Sequence, residues 1–227
     1  MLGIGRKLKS VLSPLEVYFL ERGFNIVGLD EVGRGCIAGP VVVGGVVLTP
    51  DSLKALENFS KDFLLQIQDS KTVKPQTRAG FVHQLIKIDS LTWFVDGSDV
   101  SLINKVGVAK AVVQAMQRIL KRLKLPLEKT LVLIDGAYIS IPPTKYSTLR
   151  IKQGDSVMFS IKLASNFAKY FRDYWMSKKY HKQYPYFDFR SNKGYATSAH
   201  IKALKQNGVS KVHRLRFCEN LKSIGKD

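Results

Sequence analysis

The stretch Gly28-Leu29-Asp30-Glu31-Val32-Gly33-Arg34-Gly35 decides how the rest of the chain reads. An apolar run, residues 24–29 with Asn25 its one polar member, leads into it and predicts a strand. Two adjacent carboxylates close that strand, and Gly33 and Gly35 bracket an arginine just beyond. Neighbouring side chains of an extended strand point to opposite faces. Asp30 and Glu31 therefore share a site only where the strand ends or twists. Glycine lets the backbone turn there and lets a ligand approach closely. A plain acidic turn seldom needs two acids, an arginine and a third glycine, Gly39, close by.

The same pattern of strand, acid and turn recurs downstream. Residues 131–134 are apolar and end in Asp135-Gly136, and residues 148–152 end in Gly154-Asp155. In sheets covered by helices, ligand sites collect at strand ends, so three such ends predict a functional cluster. Val41–Leu48, rich in valine, reads as the second strand and residues 91–95 as the third. Helices are predicted over residues 1–23, 76–88, 101–123, 156–176 and 197–206, with 51–63 helical or irregular. In residues 101–123, Leu102, Val106, Ala109, Val113, Met116, Leu120 and Leu123 recur at steps of four and three, a single core-facing stripe. In residues 156–176, Ile161, Ala164, Ala168, Phe171 and Trp175 form the buried stripe. Ser165, Lys169 and Arg172 fall on another face, whose plainest reading is a solvated one. Strands separated by helices argue for an α/β sheet of mixed direction.

Composition bounds the partners. The 227 residues, 45 % apolar, suffice for one sizeable core. Thirty-six basic residues against 18 acidic give a net charge of +18, which attracts polyanions. From Ser160 onward there are 15 basic and 4 acidic side chains, a net of +11, so the C-terminal third is the expected nucleic-acid face. Cys36 and Cys218 form no disulfide framework and no metal-ligand spacing, and a reducing cytoplasm is the expected setting. Arg6, Lys7 and Lys9 precede a region broken by Pro14 and Glu16, a poor signal peptide, and no run is long enough to span a bilayer.

Asp30-Glu31-Val32-Gly33-Arg34-Gly35 followed by Ala38-Gly39-Pro40-Val41-Val42 resembles the opening motif of the ribonuclease HII family, the type 2 RNases H. The resemblance continues in collinear order over about residues 24–217. Its pieces are Asp69-Ser70-Lys71, Ile103-Asn104, Ala115-Met116, Leu133-Ile134-Asp135-Gly136 and Gly154-Asp155. Ser160-Ile161, Ala164-Ser165, Ala168-Lys169, Arg172-Asp173, Lys193-Gly194-Tyr195 with Thr197 and His200, and His213-Arg214 with Phe217 complete it. The chain departs from the family pattern at Ala79, at Asp99-Val100-Ser101, at Lys162-Leu163 and at Asn166.

This resemblance implies an RNase H-like fold, a mixed five-stranded sheet flanked by helices. A catalytic domain over residues 1–180 would carry a small helical, substrate-binding extension over residues 181–227. It also implies cleavage of RNA in RNA–DNA hybrids and incision 5′ to a single ribonucleotide in duplex DNA, leaving 3′-hydroxyl and 5′-phosphate ends. Asp30, Glu31, Asp135 and Asp155 would be the catalytic acids and would hold two divalent cations, Mg²⁺ or Mn²⁺, since hard cations take oxygen ligands. Gly33, Arg34 and Gly35 would read the 2′-hydroxyl, and Tyr195 would pack on the sugar at the RNA–DNA junction. Lys71, Ser165, Lys169, Arg172 and Lys193 are the remaining expected substrate contacts. The expected partners are nucleic acids, with the protein a monomer; residues 221–227 do not indicate a sliding-clamp partner. The related ribonuclease HIII generally has an extra N-terminal domain, whereas 29 residues precede Asp30 here. A non-catalytic nucleic-acid binding protein would explain the charge but not four acids, and a nucleotide-binding loop lacks the Walker pattern.

Overall fold

The computed structural model describes residues 3–68, 70–136, 140 and 142–222; Asp69 and residues 223–227 lie outside it. β1 (Asn25–Val32) and β2 (Val41–Leu48) pair antiparallel, and β3 (Trp93–Ser98) adds antiparallel to the far side of β2. β4 (Thr130–Asp135) lies parallel to β1, and β5 (Ser147–Ile151) parallel to β4. The order is therefore β3-β2-β1-β4-β5, a mixed five-stranded sheet.

Every residue of β2 is buried, which follows from helices on both faces. On one face lies the long helix Phe159–Trp175, whose Phe159, Ile161, Leu163, Ala164 and Phe167 pack with Ile26, Val46, Leu48, Leu131 and Leu133. Gly28 and Gly44 make this contact possible: a methyl group at either would collide with helix backbone, at Ser160 and Ala164 respectively. On the other face the helix Val108–Arg122 packs against Val27, Leu29, Val43, Val132 and Ile134. A third cluster, Ala38, Met176, Phe187, Phe189 and Val212, joins the C-terminal segment to the turn after β1.

The helix expected over residues 101–123 is two helices, Val100–Val106 and Val108–Arg122. Gly107 separates them at φ +84°, a conformation glycine adopts without steric cost. The break resets the phase. Ala111, Val112, Ala115, Met116, Ile119 and Leu120 form the buried face, while Ala109 is exposed. The helix expected over 156–176 likewise divides into a turn, Gly154–Val157, and the long helix, with Met158 extended between them. A π-helical turn, Met176–Tyr180, follows it. Residues 1–23 hold two helices, Arg6–Lys9 and Pro14–Glu21. Among the described residues no helix is long and apolar enough to cross a membrane.

Candidate active site

Register brings two of the acids together. Ile26 is opposite Leu131 and Gly28 opposite Leu133, and alternation then sets Asp30 and Asp135 on the same face, toward the long helix. Asp155 enters from the turn just before that helix. One carboxylate oxygen from each of Asp30, Asp135 and Asp155 lies within 4.8 Å of the others. Asp135 Oδ1 accepts the backbone N–H of Gly154 at 2.6 Å, which ties the end of β4 to the turn that carries Asp155.

Glu31 comes from the opposite side of β1 and is not part of that three-aspartate group. β1 does not end at the acids as expected. It stays paired with β2 through Val32, while its pairing with β4 stops at Leu29. Glu31 still lines the same cleft, about 620 Å³, with Asp30, Asp135 and Asp155. Its Oε1 accepts from Arg34 at 3.2 Å. Its Oε2 is buried without a hydrogen-bond partner, an arrangement that costs free energy in any protein left as it is.

Crowding shows in the acid strengths. Burial, then the charges of Glu31 and Asp135, hold Asp30 well above the usual carboxylate range, against a hydrogen bond from Ser165. Burial pushes Glu31 up to about 7, with Arg34 pulling the other way. Burial and the charge of Asp155 raise Asp135, while the Gly154 N–H opposes them. Carboxylates in this condition favour any cation that enters.

The other expected site residues divide. Gly33, Lys71, Ser165, Lys169, Lys193 and Tyr195 line the cleft. Lys71 Nζ is 2.8 Å from Asp155 Oδ2. Ser165 Oγ and Ser70 Oγ lie 2.7 Å apart, within hydrogen-bond distance, and Lys169 pairs with Asp173 at 3.0 Å. Tyr195 is exposed, with the Lys169 ammonium 5.6 Å from its ring centre. Arg34 does not line the cleft but borders a neighbouring groove along the helix Val108–Arg122, and Gly35 is exposed outside the cleft lining. Arg172 differs from expectation. It is fully buried, and its guanidinium donates to the carbonyls of Pro40, Lys193 and Ala38. It packs inward because the turns on either side of it close over that part of the long helix.

Three features escape sequence reading. Glu16 is fully buried, and its carboxylate accepts from the backbone N–H of Phe159 and Ser160 at 3.0 and 2.8 Å. It thereby satisfies the first turn of the long helix and suits its dipole. The spacing Ser13-Pro14-Leu15-Glu16, a capping box, was the available signal. Asn166, a departure from the family pattern, is buried and accepts from Arg78 Nε at 3.2 Å while donating to Gln68 O at 2.8 Å. Arg78 in turn donates to the carbonyls of Ser70 and Val73, so this pair holds the segment bearing Lys71 against the long helix. Arg214 is the third, buried beneath the turn after β1.

The family model for Ribonuclease HII matches residues 27–220, which include all four acids and the residues around them. The chain belongs to the ribonuclease HII family. It is similar to the Ribonuclease HII of Borrelia garinii subsp. bavariensis, 39 % identical over 193 residues, or 85 % of this chain and 98 % of that one. Its fold is similar to that of an RNase HII from Archaeoglobus fulgidus solved in complex with PCNA. The TM-score is 0.66 at 20 % identity, over 87 % of this chain and 96 % of that one. It is equally similar to Bst-RNase HIII solved with Mn²⁺, with TM-score 0.66 at 15 % identity, over 90 % and 71 % of the chains. As a member of the ribonuclease HII family the protein has ribonuclease H activity, and its sheet is that of the RNase H structures.

Proposed function

We propose that the chain is a metal-dependent endoribonuclease. It cleaves the RNA strand of RNA–DNA hybrids and incises 5′ to a single ribonucleotide in duplex DNA, leaving 3′-hydroxyl and 5′-phosphate ends. The observation that carries this reading is the convergence of Asp30, Asp135 and Asp155 within 4.8 Å, beside the unpartnered Oε2 of Glu31. An all-oxygen donor set of carboxylates suits Mg²⁺ or Mn²⁺. Two such cations, when bound, supply charge neutralisation at phosphorus and an activated water.

The chain's own groups then divide the work. Asp30, Asp135 and Asp155, with Glu31 on the same cleft, would hold the cations. Lys71, Lys169 and Lys193 meet phosphates around the cleft. Gly33, Arg34 and Gly35 offer backbone and guanidinium to the 2′-hydroxyl, the group that separates ribonucleotide from DNA. Tyr195 offers its ring face to the sugar on the 3′ side of the ribonucleotide. The basic segment over residues 181–227 acts as the substrate-binding extension, a reading supported by its 10 basic against 3 acidic side chains, a net of +7.

The test is a substrate panel of RNA–DNA hybrid, duplex DNA and duplex RNA, each with Mg²⁺, with Mn²⁺ and with chelator. Cleavage of hybrid only, and only with metal, is expected. Cleavage that persists in chelator, or that ignores the DNA strand, overturns the reading.

A further inference from the structure

Two arginines are fully buried, Arg172 on the long helix and Arg214 near the C-terminus. Among the described residues neither forms an ion pair. Arg172 Nε donates to Pro40 O at 2.9 Å, Nη1 to Lys193 O at 2.9 Å and Nη2 to Ala38 O at 3.3 Å. Arg214 Nε and Nη2 donate to Gly39 O at 3.0 and 2.9 Å, and Nη1 to Arg34 O at 2.9 Å. Every one of these acceptors is a backbone carbonyl, and all belong to two segments. One is the turn that runs from Arg34 to Pro40. The other is the turn Lys193-Gly194-Tyr195.

Burying a guanidinium without a carboxylate is costly, and apolar packing would hold two turns together at lower cost. What the planar fork adds is fixed spacing, because several carbonyls must converge on one rigid group. The contact surfaces leave no slack. The N–H groups of Ile37 and Ala38 both donate to Gly194 O, at 2.9 and 3.2 Å. A methyl group at Gly33 would collide with the Arg172 guanidinium, and one at Gly194 with Ala38 O. The long helix that carries Arg172 also carries Ser165, which lines the cleft with Asp30.

We propose that Arg172, which bridges the two turns, and Arg214, which fixes the shape of the first, are positioning residues that set the gap between the Gly33–Gly35 turn and Tyr195, and so set the preference for an RNA–DNA junction over uniform hybrid. This rests on the reading of those two turns as the groups that recognise ribose and the adjoining deoxyribose. A uniform hybrid presents no deoxyribose on the 3′ side, so its cleavage depends on the acids and less on the gap. Displacement of a reacting group by about 1 Å costs about a hundredfold in rate.

The test compares Arg214→Lys, Arg172→Lys and Gly194→Ala with the native enzyme. Lysine keeps the charge but offers a point contact in place of a fork. Alanine at Gly194 leaves both arginines and forces the turns apart. For each variant, kcat/KM is measured on a duplex with one ribonucleotide and on uniform hybrid. Mn²⁺ affinity is measured by calorimetry and folding by circular dichroism. The ratio of the two kcat/KM values is expected to fall about tenfold to a hundredfold, the range a displacement of up to about 1 Å produces, with Mn²⁺ affinity unchanged. Equal slowing on both substrates, an unchanged ratio, or loss of fold in all three variants overturns the proposal. A native enzyme that cannot incise at a single ribonucleotide would refute the underlying reading instead.

Discussion

The Lys71 ammonium lies 2.8 Å from Asp155 Oδ2, a cation already placed against the acid cluster although most of the lysine side chain is in solvent. It occupies part of the charge demand that a divalent ion would otherwise meet. Lys71→Met is therefore expected to bind Mn²⁺ more tightly in the absence of substrate, by a few-fold. That corresponds to about 1 kcal/mol for unit charges about 4 Å apart in a water-like medium. Cleavage should nonetheless slow if Lys71 also meets a phosphate. Calorimetric titration of the variant checks this, and weaker Mn²⁺ binding would contradict it.

Asp30→Asn, Asp135→Asn, Asp155→Asn and Glu31→Gln should each reduce cleavage by at least about two orders of magnitude, since metal ions contribute several kcal/mol to such reactions. Folding should survive, because each change removes like-charge repulsion that now raises the neighbouring acids. Thermal unfolding in chelator should show Asp30→Asn as stable as the native protein or more so. A large drop in its melting temperature would point to a structural acid.

Lys169 pairs with Asp173 at 3.0 Å and borders the cleft. If it also neutralises a phosphate, Lys169→Ala should weaken binding to all duplexes alike. The log–log salt slope should flatten by roughly 0.9. Binding isotherms across a salt series, in Ca²⁺ to prevent cleavage, give that slope directly; an unchanged slope removes Lys169 from the contacts.

His213 and His200 face each other with their Nε2 atoms 3.1 Å apart. The Ser210 N–H donates to His213 Nδ1, so the neutral His213 carries its proton on Nε2 and gives it to His200, whose Nδ1–H meets Tyr195 O. The chain has no place for an extra proton. Burial and the neighbouring His200 lower His213 to about 4, below its ordinary 6.5. Between those values the unfolded chain binds a proton that the folded chain refuses. Stability contributed above pH 6.5 is thus lost as pH falls toward 4, by up to roughly 3 kcal/mol. Glu31, raised to about 7, acts in the opposite sense, because there the folded chain holds the proton. Denaturant unfolding of the native protein and His213→Gln from pH 7 to 4 separates the two. The difference between the curves should shrink as pH falls, and a constant difference would refute the neutral pair.

Two strand ends were legible because each joins a short strand to an acid and a glycine, and Asp135 and Asp155 lie where that pattern set them. What escaped was set by distant contacts. The helix period of residues 101–123 was real, but one glycine, Gly107, reset its phase, and periodicity alone does not register a positive φ. Arg172 sits at a spacing that suits a solvated face, and only the turns folded over it bury it. Glu16 reads locally as part of a capping box, while its second set of donors is Phe159 and Ser160, more than a hundred residues away. Alternation along β1 assigned Asp30 and Glu31 to opposite faces, and they remain so. They border one cleft because β4 leaves β1 at Leu29.

The central claim is that this acid cluster, read against the Gly33–Gly35 turn and Tyr195, directs hydrolysis to one bond. The most direct measurement is cleavage of duplex DNA bearing a single ribonucleotide, mapped at nucleotide resolution with the chemistry of both new ends identified. Incision immediately 5′ to the ribonucleotide, with 3′-hydroxyl and 5′-phosphate ends, dependent on Mg²⁺ or Mn²⁺ and lost in Asp30→Asn, is the predicted result. Cleavage on the 3′ side, a cyclic phosphate product, or full activity in Asp30→Asn would contradict it.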